Sequence, residues 1–490
     1  MALAFLTLVN AIICFTLLAI TIIIYRLYFH PLASYPGPPL WVTSQLPSIY
    51  TRLMERQPYH IVELHQKYGS VVRIAPNELA FTTEKAWYDI YGKPDRKLPE
   101  LRKDPSMFLA PPNGVYGMIF EPSEKGHARM RGVLSNGFSR KAVADQEPCI
   151  ARTVNRFINK LGESCGKQID MVPLYHFVFL DIIGDLTFGE SFNCVENWEL
   201  HFWPKMVFEF IKIGNTFAIA KKFSPLDKIL AFLAPPSLRK SESQIREFIK
   251  EKVIKRLEAP GIRSDFLSNT QASFNTPEGM NFDEIVETSL HLIVAGSETG
   301  STTLATATYF LLANPQVLSK LNSEIREAFK NEEEITFLSA SRLQYLTAVI
   351  NEVFRCLPPV PAILPRVTPP NGCIIDGRFV PGNTVVGISQ WAAYHLETNF
   401  RRPYDFVPER WLGDVEFKDD KRQVVKPFSV GQRNCIGQTL AMAELGSVLA
   451  KMLWNFDMEL CEDSVDWKDD MKVYIVYQKR PLNVVLTRRK

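Results

Sequence analysis

Near its C-terminus the chain reads Phe428-Ser429-Val430-Gly431-Gln432-Arg433-Asn434-Cys435-Ile436-Gly437. Gly431 permits a tight turn with positive φ, and Gly437 lets a flat group approach the helix that we predict over Gln438 to Leu453. A thiolate at a helix N-terminus is stabilised by the helix dipole and by free backbone N–H groups. Arg433 adds positive charge near the sulfur or near an anionic group of a bound cofactor. The pattern therefore predicts a chemical role for Cys435, against the alternative of a small buried apolar residue.

Composition narrows the class of protein. The 490 residues carry a net charge of +3, with 46% hydrophobic and 22% charged residues. These values exclude disorder, collagen and coiled coil as descriptions of the whole chain, and no dense basic stripe indicates a nucleic-acid partner. The eight cysteines are scattered without a CxxC pair, so the sequence contains neither a zinc ribbon nor a dithiol redox motif. A chain of this length needs no disulfides, and we expect the seven cysteines other than Cys435 to be reduced and inert.

The N-terminus predicts a membrane anchor. Leu3 to Tyr25 is free of charge, and a helix of that length spans ~35 Å, enough for a bilayer core of ~30 Å. A cleaved signal peptide is the competing interpretation, but no Lys or Arg precedes the run and Arg26 follows it. The positive-inside rule then predicts a lumenal N-terminus and a cytosolic body. We predict an anchor over residues 1–27, a proline-rich hinge over 28–40 and one catalytic domain over 41–490.

The rest of the chain has the pattern of a mainly α protein with small sheets. No repeat or domain linker divides it, so one body is favoured over the three domains that length alone suggests. The best helix candidates are Gln57 to Tyr68, Pro122 to Asn136, Arg152 to Gly162, Ser241 to Arg256 and Gln316 to Phe329. The best strand candidates are Val71 to Ile74, Glu78 to Thr82, Thr384 to Ile388 and Asn483 to Thr487.

One long helix is predicted from about Asp283 to Ala313, ending before Asn314-Pro315. Its middle, residues 295–303, contains two glycines and a run of hydroxyl side chains, which favour a kink or a local groove. Glu298 lies there between apolar neighbours. A carboxylate inside a buried helix is costly unless it is paired or functional, and the alternative is a Glu on an exposed edge.

The string 428–437 matches the haem-binding signature of the cytochrome P-450 family, F-x-x-G-x-R-x-C-x-G, at all five fixed positions. The resemblance implies a helix-rich triangular body with small β-sheets behind an N-terminal transmembrane helix. It implies that Cys435 is the axial thiolate ligand of a haem b iron. Phe428, Gly431, Arg433 and Gly437 would then shape the cofactor-binding loop.

Further motifs agree with this resemblance in the order that the family has them. Residues 295–300 resemble its oxygen-activation motif, with Gly300 in place of the usual final hydroxyl. This resemblance implies that Glu298 and Thr299 are catalytic residues that supply and position protons. Glu352 and Arg355 match E-x-x-R, and Arg410, within Pro408 to Trp411, would complete a structural Arg–Glu–Arg cluster.

Basic residues for the two haem propionates are also implied. His127 and Arg131 resemble the W/H-x-x-x-R pair of the family, Arg433 would assist from the cysteine loop, and Arg366 is a weaker candidate. An ordinary surface histidine is the alternative for His127. His291 is expected in the core or in a pocket wall.

The resemblance covers nearly the whole chain and extends to fungal microsomal members, among them the isotrichodermin C-15 hydroxylase-like group of secondary-metabolite enzymes. It implies a monooxygenase of the endoplasmic reticulum membrane that hydroxylates or epoxidises a lipophilic terpenoid or polyketide with O2. Electrons would come from an NADPH-dependent cytochrome P-450 reductase, with cytochrome b5 as a candidate second donor. Basic residues near the cysteine, Lys421, Lys426 and Arg129 among them, are candidate docking charges, or an ordinary solvated face.

The expected pocket walls are apolar, which suits such a substrate. They comprise residues 107–109, 115–116, 208–211, 294–295, 362–364 and 474–475. Two alternatives remain open at this point. One is a reductase-independent haem-thiolate isomerase or dehydratase, against which the Glu298–Thr299 pair argues. The other is a non-enzymatic haem-binding membrane protein.

Overall fold

The fold is known from a computed structural model that describes residues 2–92, 100–107, 113–199, 202–223, 225–233, 236–259, 264–469 and 471–489. Helices dominate it, as predicted. The α-helices are α1 (Ala2–Ile24), α2 (Pro39–Thr43), α3 (Leu46–Leu53), α4 (Gln57–Tyr68), α5 (Glu84–Tyr91), α6 (Glu124–Ser135), α7 (Arg140–Gly162), α8 (Met171–Phe188), α9 (Cys194–Asn197), α10 (Phe202–Lys221), α11 (Leu226–Leu233), α12 (Pro236–Glu258), α13 (Ser268–Ala272), α14 (Phe282–Ala313), α15 (Pro315–Ala328), α16 (Phe337–Ala340), α17 (Gln344–Cys356), α18 (Gln390–His395) and α19 (Gln438–Asn455).

The strands form small sheets. They are β1 (Val71–Ala75), β2 (Glu78–Phe81), β3 (Arg102–Lys103), β4 (Gln168–Asp170), β5 (Arg366–Val367), β6 (Cys373–Ile375), β7 (Arg378–Val380), β8 (Val385–Ile388), β9 (Phe456–Leu460), β10 (Lys472–Val473), β11 (Tyr477–Gln478) and β12 (Asn483–Arg488). One sheet has the order β1-β2-β8-β5-β3, in which β2 and β8 are parallel and the other pairs antiparallel. A second has the order β4-β12-β9, and β6-β7 and β10-β11 are hairpins.

Helix α14 runs without interruption through the core. Asn281 and Glu284 form a capping box at its start, which satisfies two of the otherwise unpaired N–H groups. Its two central glycines accommodate α8, because a Cβ at Gly296 or Gly300 would overlap Ile183 or Phe179. The predicted local groove is therefore present, and α8 occupies it.

Most of the predicted elements are confirmed, but two helix starts were wrong. The helix predicted from Ser241 begins at Pro236. The helix predicted from Arg152 begins at Arg140 and contains Pro148. A proline removes one backbone hydrogen bond, but here the helix buries residues on both sides of it, such as Val143 and Ile150. The buried apolar helix α8 was not singled out by the sequence analysis.

Two helices in the described residues are long and apolar enough to cross a membrane. The segment Leu3–Phe29 has a mean hydropathy of 2.5 and is not buried at all, whereas α8 is a core helix, 83% buried. An apolar, uncovered N-terminal helix is consistent with a membrane anchor. The boundaries predicted between anchor, hinge and catalytic domain stay predictions.

The predicted hinge segment packs against the body. Arg73 donates a hydrogen bond of 2.8 Å to the carbonyl oxygen of Arg26, and Tyr35 donates one of 2.9 Å to that of Phe379. Leu32 is fully buried in the cluster around the large sheet. The turn of chain that follows the apolar helix therefore has a fixed path over this sheet.

Candidate functional site

The cysteine loop is a compact turn that precedes α19. The backbone N–H of Cys435 donates to the carbonyl oxygen of Phe428 over 2.8 Å, which closes the loop. Gly431 has φ of +80°, and a Cβ there would overlap the carbonyl oxygen of Tyr91. Only glycine fits this conformation and this contact together, which gives a steric reason for the glycine in the motif.

Cys435 lies at the N-terminus of α19 with an exposed side chain. Burial in the surrounding protein nevertheless raises the pKa of its thiol, while a hydrogen bond from the Gly437 backbone and the charge of Arg131 lower it. These two observations place the sulfur in a recess that is open at the thiol and crowded around it. A Cβ at Gly437 would meet only Phe138 at 3.9 Å and the Cys435 sulfur at 4.0 Å, so the recess continues over this residue.

The middle of α14 also borders open space. Ala295 is exposed and Thr299 half-buried, although the same helix is buried from Gly300 to Leu311. Thr299 Oγ1 donates to the carbonyl oxygen of Ala295 over 2.7 Å. One turn earlier, the ring of His291 packs edge-on against Phe120 with centroids 4.4 Å apart, and burial with nearby cations lowers its pKa to about 3. His291 is therefore an uncharged wall residue, as expected.

Glu298 belongs to a buried polar cluster. Its carboxylate is paired with Lys479, whose Nζ also donates to Thr302 Oγ1 over 2.8 Å. Its other oxygen lies 3.4 Å from His176 Nε2. Burial raises the pKa of Glu298, but Lys479 and His176 outweigh it, so the pKa is lowered and the carboxylate is ionised. The alternative of a Glu on an exposed edge is excluded, because the side chain is 14% exposed.

Basic side chains converge beside the cysteine loop. Burial and then the charges of Arg433, Lys103, Arg131 and Arg366 lower the pKa of His127 to about 3. His127 is buried in α6, so the alternative of a surface histidine is wrong. Burial and two of the same neighbours lower the pKa of Lys103 to about 7. These positive charges lower the pKa values of their basic neighbours, which indicates that positive charge predominates beside the loop.

Some of these cations form hydrogen bonds with the cysteine loop or with its neighbours. Arg131 donates to the carbonyl oxygen and to the side-chain oxygen of Asn434, both over 2.7 Å. Arg433 is paired with Glu100 at 2.7 Å and donates to the carbonyl oxygen of Glu121, also over 2.7 Å. Arg366 is buried, with its guanidinium 5.2 Å from the ring centroid of Tyr91. It donates a hydrogen bond of 3.3 Å to the carbonyl oxygen of the neighbouring Pro365.

The predicted Arg–Glu–Arg cluster is present and fully buried. Glu352 accepts from Arg355 over 2.8 and 2.9 Å and from Arg410 over 3.0 Å. Trp411 Nε1 donates to the second carboxylate oxygen over 2.9 Å, and Asp420 pairs with Arg410. The cluster touches the cysteine loop through Phe354 on α17, whose ring packs edge-on against Phe428 with centroids 5.3 Å apart.

Several site neighbours could not be found from motifs. Lys103 and Lys479 lie in short strands and turns without a recognisable pattern, and Asn434 occupies a variable position of the loop signature. Among the suggested docking charges, Arg129 is paired with Glu284 and hydrogen-bonded to the carbonyl oxygen of Gly279, so its charge is already compensated within the chain. Of the predicted pocket walls, residues 108–109 lie outside the described residues.

The residues present fit a flat, carboxylate-bearing cofactor with a thiolate-ligated metal. The soft sulfur ligand, the glycine that leaves the recess open and the concentrated cationic charge meet at one loop. Carboxylates of a bound group would neutralise charge that this chain leaves in excess. Haem is the cofactor that combines these features.

Comparisons with known proteins agree. The family model described as cytochrome P-450 matches residues 35–486. The chain is 40% identical to averantin hydroxylase from Dothistroma septosporum, over 98% of this chain and 91% of that protein. It is 38% identical to trichothecene C-15 hydroxylase from Fusarium sporotrichioides, over 96% of each, and 39% identical to trichothecene C-4 hydroxylase from Trichoderma arundinaceum, over 94% and 93%. The chain therefore belongs to the cytochrome P-450 family and is a haem-thiolate monooxygenase that uses O2.

Proposed function

We propose that Cys435 is the axial ligand of haem b in an enzyme that hydroxylates or epoxidises a lipophilic product of fungal secondary metabolism. The observation that carries this proposal is the exposed thiol at the start of α19, beside a set of mutually repelling cations. When bound, the haem supplies the chemistry of O2 binding and cleavage, which a side chain cannot provide.

The haem carboxylates are assigned to the basic residues beside the loop, of which His127 is an uncharged hydrogen-bonding group. His127, Arg131, Arg366 and Arg433 are the proposed propionate-binding residues, and Lys103 joins them because the same charges act on it. Gly431 and Gly437 keep the loop and the recess free of side-chain atoms, and Phe428 connects the loop to α17.

Glu298 and Thr299 are the proposed proton-handling residues. Thr299 presents its hydroxyl at the half-buried turn of α14, next to exposed Ala295. Glu298 is ionised and bonded to Lys479, so it can accept a proton from solvent and pass it toward Thr299. An enzyme that cleaves O2 needs such an acid–alcohol pair, whereas an isomerase or dehydratase does not. The presence of Glu298 and Thr299 therefore favours a monooxygenase.

Glu352, Arg355 and Arg410 have a structural role in this proposal. Their cluster is 0% exposed and makes no contact with a recess among the described residues. It connects α17 to the chain around residues 403–411 by charge-assisted hydrogen bonds and supports Phe428 through Phe354.

Electrons and location follow from the family and from the apolar N-terminal helix. We propose that an NADPH-dependent cytochrome P-450 reductase delivers electrons, with cytochrome b5 as a second candidate donor. The helix Leu3–Phe29 would be a single-pass anchor in the endoplasmic reticulum, with the N-terminus lumenal and the catalytic domain cytosolic. Lys421 and Lys426 remain candidate docking charges.

The substrate is proposed to be a terpenoid or polyketide. Three relatives are named for averantin or trichothecene hydroxylation, and the expected pocket walls of this chain are apolar. No single one of these compounds is assigned to this chain.

The test is a reduced carbon monoxide difference spectrum of the membrane-bound protein, followed by NADPH consumption with added reductase. We expect the band position of thiolate-ligated haem, and its loss in Cys435→Ser. Cys461→Ser is the matched control, because that cysteine lies in a loop after β9 and should leave the band intact. A band of histidine-ligated haem in the wild type would contradict the Cys435 assignment. A thiolate band without reductase-dependent NADPH consumption would favour the isomerase or dehydratase alternative.

A further inference from the structure

Arg52 is a half-buried cation for which the proposed function gives no use. It lies in the last turn of α3 and lines a small cavity together with Gln57, Pro58, Asn215, Ala362, Val473 and Tyr474. Its side chain is half-buried, so part of it faces this cavity. Ala362 and Tyr474 are two of the residues that the sequence predicts in the substrate pocket.

The guanidinium of Arg52 has no carboxylate partner within 4 Å in the described residues. Its hydrogen bond is to Asn215 Oδ1, at 3.5 Å the weak limit of such a contact. Burial lowers the pKa of Arg52, against the influence of two carboxylates, Glu78 and Asp104. Both are committed elsewhere, because Glu78 pairs with Lys222 and Asp104 accepts from the backbone and hydroxyl of Ser106.

A desolvated cation without a direct counter-ion is unfavourable unless a ligand supplies the missing charge. The other polar side chains around the cavity are the amides of Gln57 and Asn215 and the hydroxyl of Tyr474. Gln57 Nε2 also donates to Ser48 Oγ over 3.0 Å, and the Tyr474 hydroxyl donates to Glu55. The remaining lining is apolar. The cavity has room for about one water-sized group, about 10 Å³. It therefore offers the guanidinium and its polar neighbours to one end of a ligand whose hydrophobic part lies outside the cavity.

One short segment of the chain contributes a residue to the cavity and another to the proposed haem site. Ala362 lines it, and Arg366, four residues later, belongs to the cations assigned to the haem carboxylates. Four residues of extended chain span at most about 13–14 Å. The Cα atoms of Ala362 and Arg366 are therefore no farther apart than a medium-sized terpenoid or polyketide can span.

We propose that Arg52 binds an acidic oxygen of the substrate, a carboxylate in the simplest case, and so orients the far end of the molecule for oxidation. The proposal rests on the monooxygenase function and narrows its substrate class from lipophilic molecules to lipophilic acids. Charge-assisted, bidentate contacts from one Arg give both affinity and orientation.

The experiment measures binding and needs no turnover. Purified haem-loaded full-length protein in detergent is equilibrated by dialysis at neutral pH with dodecanoate or abietate, and in parallel with their methyl esters. Each pair has one carbon skeleton, one linear and one fused-ring, and differs in the acidic oxygen alone. Protein-free micelles correct for partition of the probes.

We expect the wild type to bind at least one of the two acids about tenfold more tightly than its ester, as for a charge-assisted pair. Arg52→Met should remove this preference, and Arg52→Lys should retain part of it. Arg342→Met, at an exposed position on the surface, should behave as the wild type. Thermal midpoints of all four proteins show whether each variant is folded.

Two results would overturn the proposal. One is a wild type that prefers neither acid over its ester, a result that needs no variant. The other is a preference that survives in folded Arg52→Met. The carbon monoxide spectrum of the same preparations separates this outcome from failure of the proposed function, because a normal thiolate band without acid preference contradicts only the role of Arg52.

Discussion

Arg131 on α6 donates two parallel hydrogen bonds to Asn434, one to its carbonyl oxygen and one to its side-chain oxygen, each 2.7 Å long. The residue next to the proposed haem ligand is thereby held by a helix 303 positions earlier in the chain. The same guanidinium lowers the pKa of the Cys435 thiol. Arg131 thus holds the cysteine loop in place and also adds positive charge near the Cys435 thiol.

Replacing Arg131 with Ala should loosen the cysteine loop. We expect a loss of about 2–3 kcal/mol of stability, since hydrogen bonds from a charged group contribute about 1.5–3 kcal/mol each and these two share one partner. Haem should also be lost faster on dilution. Thermal midpoints and haem transfer to an acceptor protein measure the two effects. Arg140→Ala is the control, because Arg140 is exposed at the start of α7. Equal behaviour of the two variants would contradict the assigned role.

Thr299→Ala should uncouple electron consumption from product formation. Without the hydroxyl at this turn of α14, we expect NADPH consumption to continue while product falls about tenfold or more and hydrogen peroxide rises, as for loss of a positioned proton donor. Product, peroxide and NADPH are quantified in the same reaction. Ser297→Ala is the matched control: its hydroxyl makes a similar bond of 2.7 Å to the carbonyl oxygen four residues earlier but is buried. Unchanged coupling in Thr299→Ala would remove this residue from the proton path.

Lys479→Met should shift the pH dependence of turnover. Lys479 is the strongest influence that lowers the pKa of Glu298, and without it burial and the remaining contacts leave that pKa higher. A proton relay that begins with the ionised carboxylate then loses activity at a higher pH than the wild type. We expect the acid limb of the profile to move upward by about one pH unit, the usual scale for loss of one close charge.

The control for that profile is Lys468→Met, a half-exposed lysine paired with Asp469 elsewhere in the C-terminal region. Turnover of both variants is measured from mildly acidic to mildly alkaline pH at saturating reductase. An acid limb that stays in place in Lys479→Met would show that this lysine does not control the proton affinity of Glu298. If the acid limb of the pH profile moves equally in both variants, the shift comes from the net charge of the protein and not from Lys479 in particular.

Glu444 should make the folded enzyme less stable as the pH rises. Burial in α19 raises the pKa of this carboxyl to about 8 in the folded protein, above its ordinary value of 4.5. The folded state therefore binds the proton more tightly, so its advantage is complete below pH 4.5 and is lost as the pH rises toward 8. Over this window the stability should fall by at most about 5 kcal/mol from this group.

Glu444→Gln should flatten that part of the pH profile, because an amide cannot ionise. Thermal midpoints from about pH 5 to about pH 9 measure the change against wild type. Glu327→Gln, at an exposed position of α15, supplies the control and should keep the wild-type slope. If wild type and Glu444→Gln have parallel profiles, Glu444 does not carry the proton in the folded state.

Much of the fold could be predicted because its signals are local. The capping residues, the apolar periodicity and the proline after residue 314 define α14 within one residue of the prediction. The strands β1, β2, β8 and β12 follow from short apolar runs between turns. The boundary error at α7 arose from Pro148, whose local penalty is offset by helix packing that no local pattern reveals.

The sequence by itself determined the family, the cysteine with its loop glycines and the order of the site motifs, because each of these depends on residues that are close along the chain. Only the tertiary structure decided the partners: Lys479 for Glu298, Asn434 for Arg131, Lys103 beside His127, and Asn215 beside Arg52 at a small cavity. These pairs join segments up to hundreds of residues apart, and electrostatic interactions depend on distance in space and on burial. Neither quantity exists before the chain has folded.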